Sequence, residues 1–288
     1  MISIIILTHN SAQFITPCLE SIIKQKDNDV EIIIVDNTSQ DNTLECIKAY
    51  DKYVQLIQNK DNLGPCRGRN QAIAKAQGDW ILTLDCDVVL EHDFIYNLKQ
   101  SIQSLSSQTG MVQPKILAPD KKTIYSCGIY LSWARRFFDI GHGQKNNGGF
   151  SRSKYIFGAC AAAALYRKSM LDQIKEKTGY FDEAFFFFVE DVDIAWRAQR
   201  KGWKCFFVPE IVCTHAGNST AYDRQFRQYY CLRNRYYLIK KNEGWLRYGL
   251  RILPVLFYDL PRSLYLLFTN PYVLKNCRHK SNTDKKGQ

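Results

Sequence analysis

The sequence predicts an α/β fold: a mixed, mostly parallel sheet flanked by helices, with a C-terminal helical extension rich in aromatic and basic residues. Three observations predict it. "ISIIIL" (2–7) and "EIIIVD" (31–36) are β-branched runs ending in polar residues, and between them Ile15, Leu19, Ile22 and Ile23 recur at helical spacing. The strand–helix alternation then continues to residue 87, the pattern of a parallel sheet. Finally, 288 residues with 45% hydrophobic content suffice for one large domain and an appendage.

In order, "NTLECIKAY" predicts a second helix, "VQLIQN" a third strand, and "GRNQAIAKAQG" a third helix closed by Gly78. "WILTLDCD" (80–87) is a fourth strand running straight into acids. Ligands of open parallel sheets gather at strand carboxyl ends, and Thr8, Asp36, Asp85 and Asp87 occupy such ends. Beyond about residue 110 the alternation weakens. "MVQPKIL", "IYSCGIYL" and "KYIFGACAAAALYRKSML" read as mixed strands and a helix start. "DIGHGQKNNGGFSRS" reads as a flexible loop. "DVDIAWRAQRKGW" is a helix ending near Gly202, and "KCFFVP" and "IVCTHAG" are two short strands. The expected organisation is a domain over 1–220, with halves of about 1–110 and 111–220, a helical extension over 221–275 and a basic tail over 276–288.

Thirty-nine Lys+Arg against 28 Asp+Glu give a net charge of +11, which favours polyanionic partners. No recognition-helix or RNA-binding motif accompanies it, so nucleic acid is not expected as a partner. No two of the ten cysteines have the C-x-x-C spacing of zinc ribbons, and the chain does not read as a disulfide scaffold. With no basic leader at the N-terminus, this points to a cytoplasmic setting. Residues 244–272 are apolar but broken by Arg247, Arg251, Asp259, Arg262, Pro254 and Pro261, so they suit lying on a membrane better than crossing it.

The sharpest chemical motif is "LTLDCDVV". Asp85 and Asp87, two apart at a strand end, project alike and can share one divalent cation. A polar strand end or a helix cap reads the same pair more plainly. "FDEAFFFFVEDVDIAWR" sets four phenylalanines against the acids Glu190, Asp191 and Asp193. An apolar wall raises a carboxylate's proton affinity and a helix start orients it, which together make a general base. Four core phenylalanines before an acidic helix start would look alike, and Asp193 is placed to pair with Arg197 at i, i+4.

In succession, "ILTHN", "IIIVDNTSQDNT", "NLGPCRGRNQAIAKAQGDWILTLDCD" and "FGACAAAALYRKSML…GYFDEAFFFFVEDVDIAWRAQRKGW" resemble the family 2 glycosyltransferases of the GT-A fold over roughly residues 2 to 215. The rhamnosyltransferase-like branch, with "GYFDE…FFFFVEDVD" and "YYCLRNRYYLIKK", is the nearest. The resemblance implies an inverting, metal-dependent transfer of a sugar from a UDP- or dTDP-sugar to a saccharide, lipid-linked acceptor, in bacterial cell-surface polysaccharide assembly. Thr8, His9 and Asp36 would line the nucleoside pocket, with Asp36 accepting from the base; His9 stands where the family more often has Tyr or Phe. Arg69 would meet the diphosphate or hold the Asp-x-Asp loop. Asp85 would touch ribose and metal, Asp87 would bind the metal, and His215 would be a third ligand to Mn2+ or Mg2+. Asp191 would be the base, with Glu190 orienting it or replacing it. His142 has no comparable support.

Aromatics beside Arg233, Arg235, Arg247 and Arg251 suit an anionic membrane surface, placing the protein peripherally at the inner face. The same segment also reads as a helical appendage packed on the domain or on the second subunit of a homodimer. The competing functional reading is a non-catalytic nucleotide-sugar or lipid-phosphate binding module of the same fold.

Overall fold

The computed structural model describes residues 1–25, 29–217, 223–273 and 275. The basic tail expected over 276–288 lies outside the described residues. The first β-branched run forms β1 (Ile2–Thr8), followed by α1 (Ala12–Ile23), β2 (Val30–Asp36), α2 (Thr43–Lys48), β3 (Val54–Gln58), α3 (Gly64–Lys75) and β4 (Trp80–Asp85). These four strands pair in parallel in the order β3–β2–β1–β4. The register sets Thr8 opposite Asp36 and Leu7 opposite Asp85, so the polar ends of three strands line up along one sheet rim.

The second half mixes directions. It comprises β5 (Val88–Leu90), α4 (Phe94–Ser104), β6 (Thr109–Leu117), β7 (Ile124–Ser126), β8 (Ile129–Leu131), β9 (Phe137–Asp139), β10 (Lys154–Ile156), β11 (Ala163–Arg167), α5 (Lys168–Ile174), α6 (Glu190–Arg200) and β12 (Lys204–His215). β11 runs antiparallel between β4 and β6, and β12 runs parallel to β6 and antiparallel to β10 and β5. Alternate residues of β1, β2 and β4 (Ile4, Ile6, Ile34, Leu82, Leu84) bury with Ile15, Leu19 and Ile22 of α1 in the main core.

Two expectations change. "KCFFVP" and "IVCTHAG" are one strand, β12, because a bulge between Val208 and Val212 carries Pro209 without ending the pairing. The Gly-rich segment expected as a flexible loop is laced to residues 122–128. Ile140 N donates to Gly128 O at 2.7 Å, Gly143 N to Ile124 O at 2.9 Å and Asn146 N to Lys122 O at 2.7 Å.

Two compact units divide the chain. The first spans Met1–Ser132, Arg136–Phe186 and Glu190–Thr220. The second takes Trp133–Arg135, Phe187–Val189 and the residues from Ala221 on. Its described elements are α7 (Arg224–Asn242), α8 (Trp245–Gly249) and a continuous helix, α9, Ile252–Thr269. Asp223 caps α7 by accepting from Phe226 N at 2.6 Å. Within this unit Arg235 is buried and paired with Asp259 at 2.6 Å, and Asn234 donates to the carbonyls of Phe187 and Phe188 at 2.7 and 2.8 Å.

Candidate active site

Thr8, His9 and Asp36 meet where β1 and β2 end. Asp36 is buried, and its two carboxylate oxygens accept from Ser39 Oγ at 2.5 Å and Ser39 N at 3.0 Å. One lone pair on each oxygen is thus committed to the turn after β2. Thr8 Oγ1 is buried without a hydrogen-bond partner. His9 Nδ1 lies 2.7 Å from Asn37 O, which assigns the proton to Nδ1 and leaves Nε2 as an acceptor beside Asn10 Nδ2 at 3.4 Å. The half-buried imidazole is thereby fixed in orientation.

The next strand end carries acids. Asp85 closes β4, Asp87 follows in the turn before β5, and His215 arrives at the end of β12. His215 Nε2 stands 3.0 Å from Asp87 Oδ1 and 3.8 Å from Asp85 Oδ2. Gly217 N donates to Asp87 Oδ2 at 2.9 Å and fixes that carboxylate. Tyr125 packs edge-on against the imidazole, with ring centroids 4.3 Å apart. Burial alone would lower the basicity of His215, but Asp87 and then Asp85 reverse this and hold it above its ordinary value.

One ligand atom from each of Asp85, Asp87 and His215 lies within 4.8 Å of the others. Neighbouring ligands of an octahedral cation at ~2.1 Å stand about 3 Å apart, close to the Asp87–His215 separation. The donor set of two carboxylates and an imidazole therefore fits a single divalent ion.

Arg69 joins this cluster to the next. It is buried on α3; Nη2 donates to Asp85 Oδ1 at 3.0 Å and Nη1 to Glu190 Oε1 at 2.6 Å. Arg69 is thus in contact with the first carboxylate of the Asp-x-Asp segment. Glu190 Oε2 is buried without a partner.

Asp191, at the start of α6, is half-buried and accepts from Val192 N at 2.8 Å and Ala161 N at 3.3 Å. Burial first, then the charges of Glu190 and Asp139, raise its pKa to about 7, against the pull of those two N–H groups. Asp193 pairs with Arg197 at 2.8 Å, as i, i+4 spacing predicts, and Arg197 also donates to Ile174 O and Tyr180 O.

The phenylalanine run has no single role. Phe185 is core, and the Phe186 ring lies where a Cβ on Gly64 would come within 2.8 Å. The Phe187 and Phe188 rings lie 4.0 Å apart between centroids, tilted by 51°. Phe186, Phe188 and Val189 hold positive φ of 61°, 66° and 72°, an uncommon backbone for non-glycine residues and a true outlier for a β-branched one.

Sequence reasoning missed Tyr125, which packs on His215, and Asp139. Burial raises Asp139 above the ordinary carboxylate range, and it accepts from Ser126 Oγ at 2.7 Å. The only signal was position: Asp139 opens the Gly-rich segment, and Tyr125 lies in the stretch to which that segment is laced, with His142 Nδ1 2.8 Å from Tyr125 O.

The family model described as glycosyl transferase family 2 matches residues 3–175, more than half of the chain. The chain belongs to this family. Among curated relatives, a poly-β-1,6-N-acetyl-D-glucosamine synthase of Staphylococcus aureus (strain COL) is 24% identical over 218 residues, covering 74% of this chain and 49% of the synthase. This family 2 chain spans about half or less of the length of the curated relatives it matches. Two solved structures share its fold. GalNAc-T7 with UDP, GalNAc and Mn2+ has a TM-score of 0.63 at 16% identity, covering 83% of this chain and 47% of that one. The Pyrobaculum calidifontis mannosyltransferase PcManGT with GDP-Man and Mn2+ has a TM-score of 0.56 at 17% identity, covering 100% and 75%. The family 2 chain thus has the GT-A architecture, its sheet parallel through β4 and mixed beyond.

Proposed function

We propose that this chain is an inverting, metal-dependent glycosyltransferase that moves one sugar from a nucleoside diphosphate to a saccharide hydroxyl. The observation that carries the proposal is the convergence of Asp85, Asp87 and His215 at the sheet rim, tied through Arg69 to the Glu190–Asp191 start of α6. In this reading residues 1–110 bind the nucleotide and 111–220 the acceptor. The nucleobase sits against His9 and hydrogen-bonds Asp36, and Asp85 serves ribose and metal together.

Asp191 takes the proton of the attacking hydroxyl as that oxygen bonds to the anomeric carbon and the bond to the diphosphate breaks. The N–H groups of Ala161 and Val192 aim the carboxylate, and a pKa near 7 lets it accept a proton at neutral pH without being locked in either state. Glu190 keeps Asp191's proton affinity up and is itself held by Arg69. A divalent cation bound by Asp85, Asp87 and His215 supplies charge neutralisation for the departing diphosphate, and the imidazole in the donor set favours Mn2+ over Mg2+. The donor is a UDP- or dTDP-sugar, and GDP-Man on the like-folded PcManGT adds a GDP-sugar as a third candidate.

The relatives' cell-surface polysaccharides and the C-terminal unit support a lipid-linked acceptor met at the inner face of the membrane. Asp259, which interrupts the apolar stretch in sequence, turns inward to Arg235 and leaves the outer face of α9 apolar. Leu253, Phe257, Leu260, Leu264 and Phe268 form an exposed stripe at helical spacing. α9 has 18 residues and a mean hydropathy of 1.2, enough by length and composition to cross a membrane. At ~27 Å it falls short of a ~30 Å hydrocarbon core, and it contains Pro254, Pro261 and Arg262, which supports lying in the surface.

The test is transfer from UDP-, dTDP- and GDP-sugars by wild type and Asp191→Asn, read as nucleoside diphosphate release. Loss of transfer with nucleotide and Mn2+ binding intact supports the assignment; normal transfer by Asp191→Asn defeats it.

A further inference from the structure

A surface cavity of about 560 Å³ opens in the first unit, lined among others by Tyr130, Lys154, Tyr155, Phe157, Gln199 and Lys204. Tyr130 and Tyr155 are about half exposed, at 49% and 53%. Each leans on a second ring, Tyr130 on Phe138 at 5.4 Å and Tyr155 on Phe206 at 5.1 Å. The Lys204 ammonium lies 5.3 Å from the centre of the Tyr155 ring. Two lysines and no carboxylate line the cavity among the described residues.

We infer that this cavity is a binding groove for an anionic saccharide chain, the distal part of the acceptor, an inference that rests on the transfer reading above. Sugar rings offer a flat C–H face edged by hydroxyls, which suits braced, half-exposed phenol rings. Lysines without opposing acids suit uronate or phosphate groups on those sugars. Continuity with the base argues for an acceptor. Gln199 Nε2, on α6, donates to Phe157 O at 2.9 Å, while Ala161 N donates to Asp191 Oδ2 on the same helix. The segment from Phe157 to Ala161 is thus pinned to α6 at both ends, and Gln199 lies eight residues, ~12 Å of helix, from Asp191. Gly158 lets the segment lie this close, since a Cβ there would come within 2.3 Å of Ala195 Cβ. A chain seated in the groove rests on the elements that aim the base.

The test is calorimetric titration of the full chain with a galacturonate hexamer and with maltohexaose, a neutral hexasaccharide, without donor. UDP, dTDP and GDP binding with Mn2+ is measured separately. The galacturonate hexamer is expected to bind at least about tenfold more tightly than maltohexaose and to weaken as salt is raised. Tyr155→Ala and Lys204→Ala are each expected to weaken it by about tenfold with nucleotide binding unchanged. No saccharide binding, or equal affinity in both variants, overturns the inference. So does a dimer in sedimentation that Tyr155→Ala dissociates, since the cavity borders the sheet-edge strand β10 and would then be an interface between copies. Saccharide binding without nucleotide binding would leave the groove standing and remove the transfer reading; the reverse would remove only the groove.

Discussion

Arg69 on α3 and Glu190 on α6 meet in a buried ion pair of 2.6 Å across 121 residues of sequence. The same guanidinium holds Asp85, so the proposed metal ligand and the neighbour of the proposed base share one cation. Removing it leaves the buried Glu190 carboxylate, and the partly exposed Asp85, without their shared cation. Arg69→Met is therefore expected to cost about 3–5 kcal/mol of stability by urea unfolding, as loss of one partner of a buried pair does. Arg69→Lys keeps the charge but not the fork, so it should recover part of that stability and little of the activity.

Asp191 predicts a pH profile. Its pKa is raised to about 7, so below that it is protonated and cannot accept a proton. Transfer should rise with pH through about 7 and then level off. Glu190→Gln removes a charge that raises this pKa, so the limb should move to lower pH, measured as log kcat/KM against pH. A limb that stays in place would separate Glu190 from the base.

The same shift has a sign for stability. A carboxylate whose folded pKa exceeds its unfolded value binds its proton more tightly when folded, so stability falls as pH rises from about 4 to about 7. Asp191→Asn should stabilise the protein at pH 8 and have little effect near pH 4, in urea melts at both values, while abolishing transfer. Equal effects at both values would mean that the carboxylate is not strained in its site.

The outer stripe of α9 predicts a membrane response. Wild type should pellet with vesicles containing 30% phosphatidylglycerol, less so at high salt, and Phe257→Asp with Leu264→Asp should remain in the supernatant. Both positions are exposed, so the double variant should melt as wild type does. If the variants instead convert a dimer to a monomer, the stripe covers a second copy.

The parallel half of the fold was legible because its signals are local. Short β-branched runs alternating with stretches of helical spacing wrote β1 to β4, and the polar residue ending each strand marked the rim. The Asp85–Asp87 pair was legible for the same reason. His215 lies 128 residues beyond Asp87, and no spacing rule joins them; family resemblance did. Pro209 looked like a strand end because a bulge is invisible to propensity. Tyr125 and Asp139 were missed because their value lies in what folds against them. Nor does any glycine announce the left-handed turn through Phe186, Phe188 and Val189 that leads into α6. The inward turn of Asp259 needed Arg235, 24 residues away, to become visible.

The most direct test of the central claim is the thermal stability of purified protein with UDP, dTDP, GDP and CDP, each with and without Mn2+, for wild type, Asp87→Ala and His215→Ala. A ligand that binds only the folded state raises the melting temperature by mass action. A rise is expected with one nucleotide that needs Mn2+, is absent in Asp87→Ala, and in His215→Ala requires at least about tenfold more Mn2+. A rise that is independent of Mn2+ and unchanged in both variants would contradict it, because Asp85, Asp87 and His215 would then hold no metal for the diphosphate.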